Sequence, residues 1–204
     1  MEFKREKWGG IKGDIIELLT NHTYWNLEGI NSSIDELEIQ LFCDKYMITD
    51  EKNMVTGEIA DMDELGVNLK EPTKISEIFL RFGDLDHNFF LTDYELRTCA
   101  VLYSKKSGRK IVVKTTEPCV QVYTGNFMEG LNAWGIICKK HNAICLETQK
   151  PPNAVNFPQF RNSVILKQEI FTFIEQMNDN VFLYILQKLR KNILKKRQNR
   201  YCSK

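Results

Sequence analysis

From Glu36 to Leu41, acidic or amide residues (Glu36, Glu38, Gln40) alternate with Leu37, Ile39 and Leu41. A period of two is the signature of a half-buried strand, because successive side chains point to opposite faces. Arg109–Thr116 and Cys119–Thr124 are rich in Val, Ile, Thr and Tyr, residues that suit a pleated surface. Between Val101–Tyr103 and Ile111–Val113 lies SKKSGRK, with Ser107-Gly108 at its tip, which predicts a hairpin. Short apolar runs at Phe89–Leu91, Ala143–Leu146, Val164–Leu166 and Ile170–Phe173 predict further strands. Strands this short and frequent point to an all-β sandwich or barrel.

The period changes after about Ile174. Phe182, Ile185, Leu186, Leu189 and Ile193 fall at helical spacing, with Lys188, Arg190, Lys191, Lys195, Lys196 and Arg197 filling most positions around them. The expected organisation is therefore a β-sandwich over residues 1–173 and a basic amphipathic helical tail over 174–204.

Composition narrows the setting more than the activity. Of 204 residues, 43% are hydrophobic and 27% charged, ordinary values for a globular domain. The net charge of +1 gives no reason to expect a nucleic-acid partner for the whole chain, although basic residues crowd the stretch after Gln187. The longest apolar candidate, Val181–Leu186, is far short of the ~20 residues needed to span a bilayer, and MEFKREKWGG lacks the apolar core of a secretory signal. Cys43, Cys99, Cys119, Cys138, Cys145 and Cys202 show no C-x-x-C spacing, so reduced thiols in a cytoplasmic protein are expected and no metal set is legible.

Three polar strings flanked by strand-like sequence carry candidate chemistry: TNHTYWNL from Thr20, DLDHNF from Asp84 and CLETQ from Cys145. A fourth, TTEPCVQVYTGNF from Thr115, adds amides and hydroxyls. Carboxylates and amides beside aromatic rings suit a sugar, whose hydroxyls they bond while the rings cover its C–H faces. On residue type alone, a histidine beside a tryptophan is as readily a hydrogen-bonded core residue.

NHTYWNLEG, VTGEIA, LDHNFFL, SGRKIVVKTTEPCVQVYTGNF and AICLETQKPPNAVNFPQF followed by SVILK, in that order over Ile15–Lys167, resemble the strings of the galactose mutarotase (aldose 1-epimerase) family. The resemblance implies part of a large β-sandwich and a cofactor-free, metal-free isomerisation of a small aldohexose, galactose or glucose. It implies Glu147 as general base at the anomeric hydroxyl, His22 as general acid at the ring oxygen, and Asp86 and Gln121 as sugar-binding residues. Beside these roles, His87 reads as a packing residue and His141 as a structural one, while Trp25 and Tyr123 read equally as core or as sugar platform. Cys119 stands where the family has Gly, so a left-handed backbone there would be strained.

Two departures shape what to expect. The family's long amino-terminal half, with an Asn-Arg pair and a further histidine near the acid, has no counterpart ahead of residue 15. One pocket wall would then be missing and sheet edges exposed, and a carbohydrate-binding remnant without turnover is the rival expectation. Gln168-Glu169 also replaces the Pro-Gly turn that closes the family fold, and the basic helix follows. A third reading makes that tail an interaction module.

Overall fold

The computed structural model describes residues 20–163, except 94 and 134, together with 175–177. The expected strands at Val164–Leu166 and Ile170–Phe173 and the basic helix from Asn178 lie outside the described residues, whereas Glu175–Met177, expected within the helical tail, form a short strand instead.

The strands run in chain order as β1 (Glu38–Leu41), β2 (Lys45–Thr49), β3 (Val55–Asp61), β4 (Thr73–Lys74), β5 (Asp86–Phe90), β6 (Arg97–Tyr103), β7 (Lys110–Thr115), β8 (Cys119–Tyr123), β9 (Asn132–Ala133), β10 (Ile136–Ile137), β11 (Cys145–Gln149) and β12 (Glu175–Met177). Among the described residues one α-helix, α1 (Ile75–Arg81), stands between β4 and β5. Two five-stranded antiparallel sheets result, in the orders β12-β7-β6-β1-β4 and β11-β8-β5-β2-β3, with β9 and β10 forming a small hairpin. The architecture is β-rich, as the sequence pattern indicates.

Burial of alternate residues explains the stacking. Leu37, Ile39, Leu41, Ala100, Leu102, Ile111 and Val113 from the first sheet meet Phe89, Val120, Val122 and Leu146 from the second in one buried cluster. Trp25, Leu27 and Ile34 join it from the segment before β1, and Ile75 and Ile78 from α1. Each of the Leu, Ile, Val and Phe side chains among them contributes roughly 1.5–3 kcal/mol on leaving water. The sandwich therefore closes along the seam predicted by the period-two pattern.

The expected hairpin joins β6 to β7: Gly108 donates to Ser104 O at 2.9 Å with φ 70°, a conformation glycine adopts without Cβ strain. Cys119 needs no such conformation. It opens β8 in extended pairing with Phe90 and Gln149, so the strain that a side chain would meet in a left-handed turn does not arise there.

Three elements depart from the pattern-based expectation. The strand expected at Ala143–Leu146 starts at Cys145 and runs on through Glu147 to Gln149, because all five residues are buried and the polar ones do not end it. Ile144 instead bridges to Trp25. Helix α1 escapes a periodicity search because it is seven residues long, buries only Ile75 and Ile78, and leaves Leu80 exposed on its outer face. Strands β2 to β4 lack a clean alternation, and β2 pairs with β3 through a register shift between Met47 and Thr49.

Candidate active site

Strands β5, β8 and β11 lie side by side and set two rows of side chains. Asp86 pairs with Tyr123, which pairs with Cys145; one step along, Asn88 pairs with Gln121, which pairs with Glu147. Cross-strand partners share a face and alternate residues along a strand share it too, so all six project from the same side of the sheet. The intervening residues Phe89, Val120, Val122 and Leu146 point the other way, into the sandwich core. Two small apolar clusters flank the polar rows: Tyr24, Tyr123, Met128, Ala133, Cys138, Ala143 and Cys145 on one side, Met47, Ala154 and Phe160 with Phe90 and Phe157 on the other.

His22 reaches this face from far away in sequence. Trp25 and Ile144 exchange backbone hydrogen bonds of 2.8 and 2.9 Å, which fasten the segment carrying His22 to the start of β11. The Asn26 amide donates to Ser32 O and Asn142 O, both at 2.8 Å, and locks the same two segments together. The imidazole then stacks on Tyr24 with ring centroids 5.0 Å apart and meets the Tyr123 ring edge-on at 6.3 Å.

In this position His22 Nε2 lies 3.1 Å from Glu147 Oε1, with only 4% of the carboxylate side chain and 18% of the imidazole exposed. Beside them the Gln121 amide donates to Asp86 Oδ1 at 2.8 Å. The four residues singled out in the sequence thus form two directly touching pairs, and Gln121 and Glu147 are cross-strand partners. A buried carboxylate against an imidazole is a proton donor–acceptor couple in a place of low dielectric, where such pairs act strongly.

The aldose 1-epimerase family model matches residues 14–174. The chain belongs to the aldose 1-epimerase family. It is 40% identical over 148 residues to the galactose mutarotases of Sus scrofa and Homo sapiens, covering 70% of this chain and 43% of each relative. An aldose 1-epimerase of Haemophilus influenzae is 29% identical over 153 residues, 71% of this chain and 45% of that protein. The chain therefore spans less than half the length of these relatives. Among solved structures, an aldose epimerase homologue from C. elegans superposes with a TM-score of 0.72 at 23% identity, over 82% of this chain and 53% of that one. A galactose 1-epimerase from Lactobacillus acidophilus does so with a TM-score of 0.60 at 24% identity, over 79% and 47%. At these identities the two structures establish the shared fold.

Within this aldose 1-epimerase fold the other two histidines have structural surroundings. His87 alternates with Asp86 and Asn88, so it turns from the polar rows toward Tyr46 and Phe82, whose rings it meets edge-on. Burial pushes its pKa down, against an opposing pull from Asp86. His141 stacks on Phe79 at 4.0 Å and places Nε2 2.9 Å from Asp84 Oδ1. Trp25 belongs to the main core and Tyr123 to a flanking cluster.

Residue-type reasoning missed Asn88, Cys145 and Tyr24. Asn88 is 1% exposed in the Gln121–Glu147 row, and neither of its amide atoms has a hydrogen-bond partner among the described residues. Cys145 places its sulfur with His22 and Glu147 in one cluster whose ligand atoms all lie within 4.8 Å of one another. The available signal was the strand period: each of Asn88 and Cys145 stands two residues from an expected site residue.

Proposed function

We propose that this chain interconverts the α- and β-anomers of an aldohexose, galactose or glucose, by general acid–base ring opening and reclosure. The observation that carries the reading is the 3.1 Å approach of His22 Nε2 to Glu147 Oε1 beside the Asp86–Gln121 pair. The chemistry explains why the groups must be neighbours. The anomeric hydroxyl and the ring oxygen of a pyranose are bonded to the same carbon, so a base for one and an acid for the other must sit within a few ångström.

Glu147 takes the proton of the anomeric hydroxyl while His22, as imidazolium, gives one to the ring oxygen. The C1–O5 bond breaks, the aldehyde turns about C1–C2, and O5 attacks the other face of C1. His22 then recovers its proton from O5 and Glu147 returns one to the new anomeric hydroxyl, so no proton is gained or lost. Asp86 and Gln121 hold the sugar hydroxyls and fix the reacting carbon over the pair, and positioning of this kind lowers the barrier along with proton transfer. A reducing, cytoplasmic setting fits the buried cysteines Cys43, Cys99, Cys119, Cys138 and Cys145, none of which is in a disulfide among the described residues.

Polarimetry on freshly dissolved α-galactose tests the reading, with wild type compared against Glu147→Ala and near-ultraviolet circular dichroism verifying that both are folded. Wild type is expected to equilibrate the sugar faster than buffer, and the variant to lose about 100-fold or more of that acceleration. A folded wild type no faster than buffer overturns the proposal and turns attention to sugar binding without turnover.

A further inference from the structure

Cys145 and Glu147 alternate on β11 and therefore share its polar face, and His22 is fastened over them by the Trp25–Ile144 bridge. One imidazole nitrogen, one thiol sulfur and one carboxylate oxygen lie within 4.8 Å of one another, and His22 Nε2 approaches Glu147 Oε1 to 3.1 Å. We propose that His22, Cys145 and Glu147 bind a thiophilic divalent cation of the Zn2+ type, and that its binding blocks the acid–base pair.

The geometry is close to what such an ion requires. Zinc bonds of ~2.3 Å to sulfur and ~2.0–2.2 Å to nitrogen and oxygen, at tetrahedral angles, put neighbouring donor atoms roughly 3.3–3.8 Å apart. The 4.8 Å limit on the donor separations exceeds that spacing by about an ångström, a distance on the scale of side-chain rotation. Three protein donors leave a fourth position for water or a hydroxyl, as in open zinc sites. The donor set also selects the metal: thiolate and imidazole favour Zn2+ over Mg2+ and Ca2+, which prefer oxygen alone. The sulfur binds as thiolate and the imidazole as its neutral form, so each cation taken up displaces the thiol proton and the proton of an imidazolium, and binding strengthens as pH rises. With the imidazole lone pair and the carboxylate both committed to the metal, neither is left to move a proton. The ion thus acts as an inhibitor that competes with the sugar, and a chelator reverses it.

The binding half of this inference stands on the cluster alone, while the inhibition half rests on the epimerase reading. Titration of the full chain with Co2+, in the absence of sugar, tests the binding. The expected result is one equivalent bound with a thiolate-to-cobalt charge-transfer absorption. Cys145→Ser is expected to remove that absorption and to weaken binding at least tenfold, and His22→Ala to weaken it by a similar factor. Absence of the band in wild type, or an unchanged band in folded Cys145→Ser, overturns the proposal. Cadmium NMR of the wild-type chain gives the same decision without a variant, since a one-sulfur site and an all-oxygen site resonate far apart. For the inhibition, Zn2+ is expected to slow sugar equilibration and a chelator to restore it. Undiminished activity at saturating Zn2+ overturns that half and leaves the cobalt result to decide the other.

Discussion

At the scale of single residues, the candidate site places the Asn88 amide where the fold gains nothing from its polarity. Asn88 is buried between two strands with both amide atoms lacking a hydrogen-bond partner among the described residues. Such a group costs about 1–3 kcal/mol of desolvation, whereas an apolar side chain of similar shape does not. Asn88→Leu is therefore expected to raise stability by about 1 kcal/mol in urea denaturation; a loss of stability would show that the amide is already satisfied. His22, Asp86, Gln121 and Glu147 were legible as candidates through the family strings, and their convergence was not. His22 and Glu147 are joined through Trp25–Ile144 backbone bonds, which any residue types at those positions could make. Cys145 was legible only as a spaced-out cysteine, because its role follows from sharing a strand face with Glu147.

At the scale of elements, two connections hold the site strands in place. Gly125, just after β8, has φ 72°, and a Cβ there would stand 2.5 Å from the backbone oxygen of Ala143. No flexible group can yield, so Gly125→Ala is expected to cost about 2 kcal/mol or more, read as a lower urea midpoint. The second connection ties the loop before β5 to the loop before β11: Lys140 Nζ lies 2.7 Å and His141 Nε2 2.9 Å from the Asp84 carboxylate. Burial pushes that carboxyl up, but hydrogen bonds and charge from Lys140 and His141 outweigh it and hold it below its ordinary value. A depressed carboxylate stabilises the fold above its unfolded pKa, and that share is lost as pH falls through the lower folded pKa. Asp84→Asn is thus expected to be less stable than wild type near pH 7, with the gap closing as the pH drops below about 4. A gap independent of pH, measured by denaturation across that range, would sink the electrostatic account. The strands with clean alternation, β1 and β7, were readable in advance; α1 and β2 were not, because a short helix and a bulged strand have no period to detect.

At the scale of the whole molecule, the two sheets share one core but only the second carries the polar rows. That asymmetry separates stability from the proposed activity. Leu102 on β6 and Leu146 on β11 are both essentially inaccessible and both face the common core. Truncating either to Ala leaves a cavity and is expected to cost about 2–5 kcal/mol. The consequences for the site differ, because Leu146 lies between Cys145 and Glu147 on the same five-residue strand, while Leu102 sits across the sandwich. Loss of the side chain that seats β11 lets Glu147 shift against His22, and misplacement by an ångström lowers a rate by about 100-fold. Leu102→Ala is expected to retain the activity of each folded molecule, so its loss tracks the folded fraction. Leu146→Ala is expected to lose activity beyond that fraction, measured by polarimetry alongside denaturation. Equal activity per folded molecule in both variants would mean that Glu147 is placed by its pairing with Gln121 and not by the core beneath the strand.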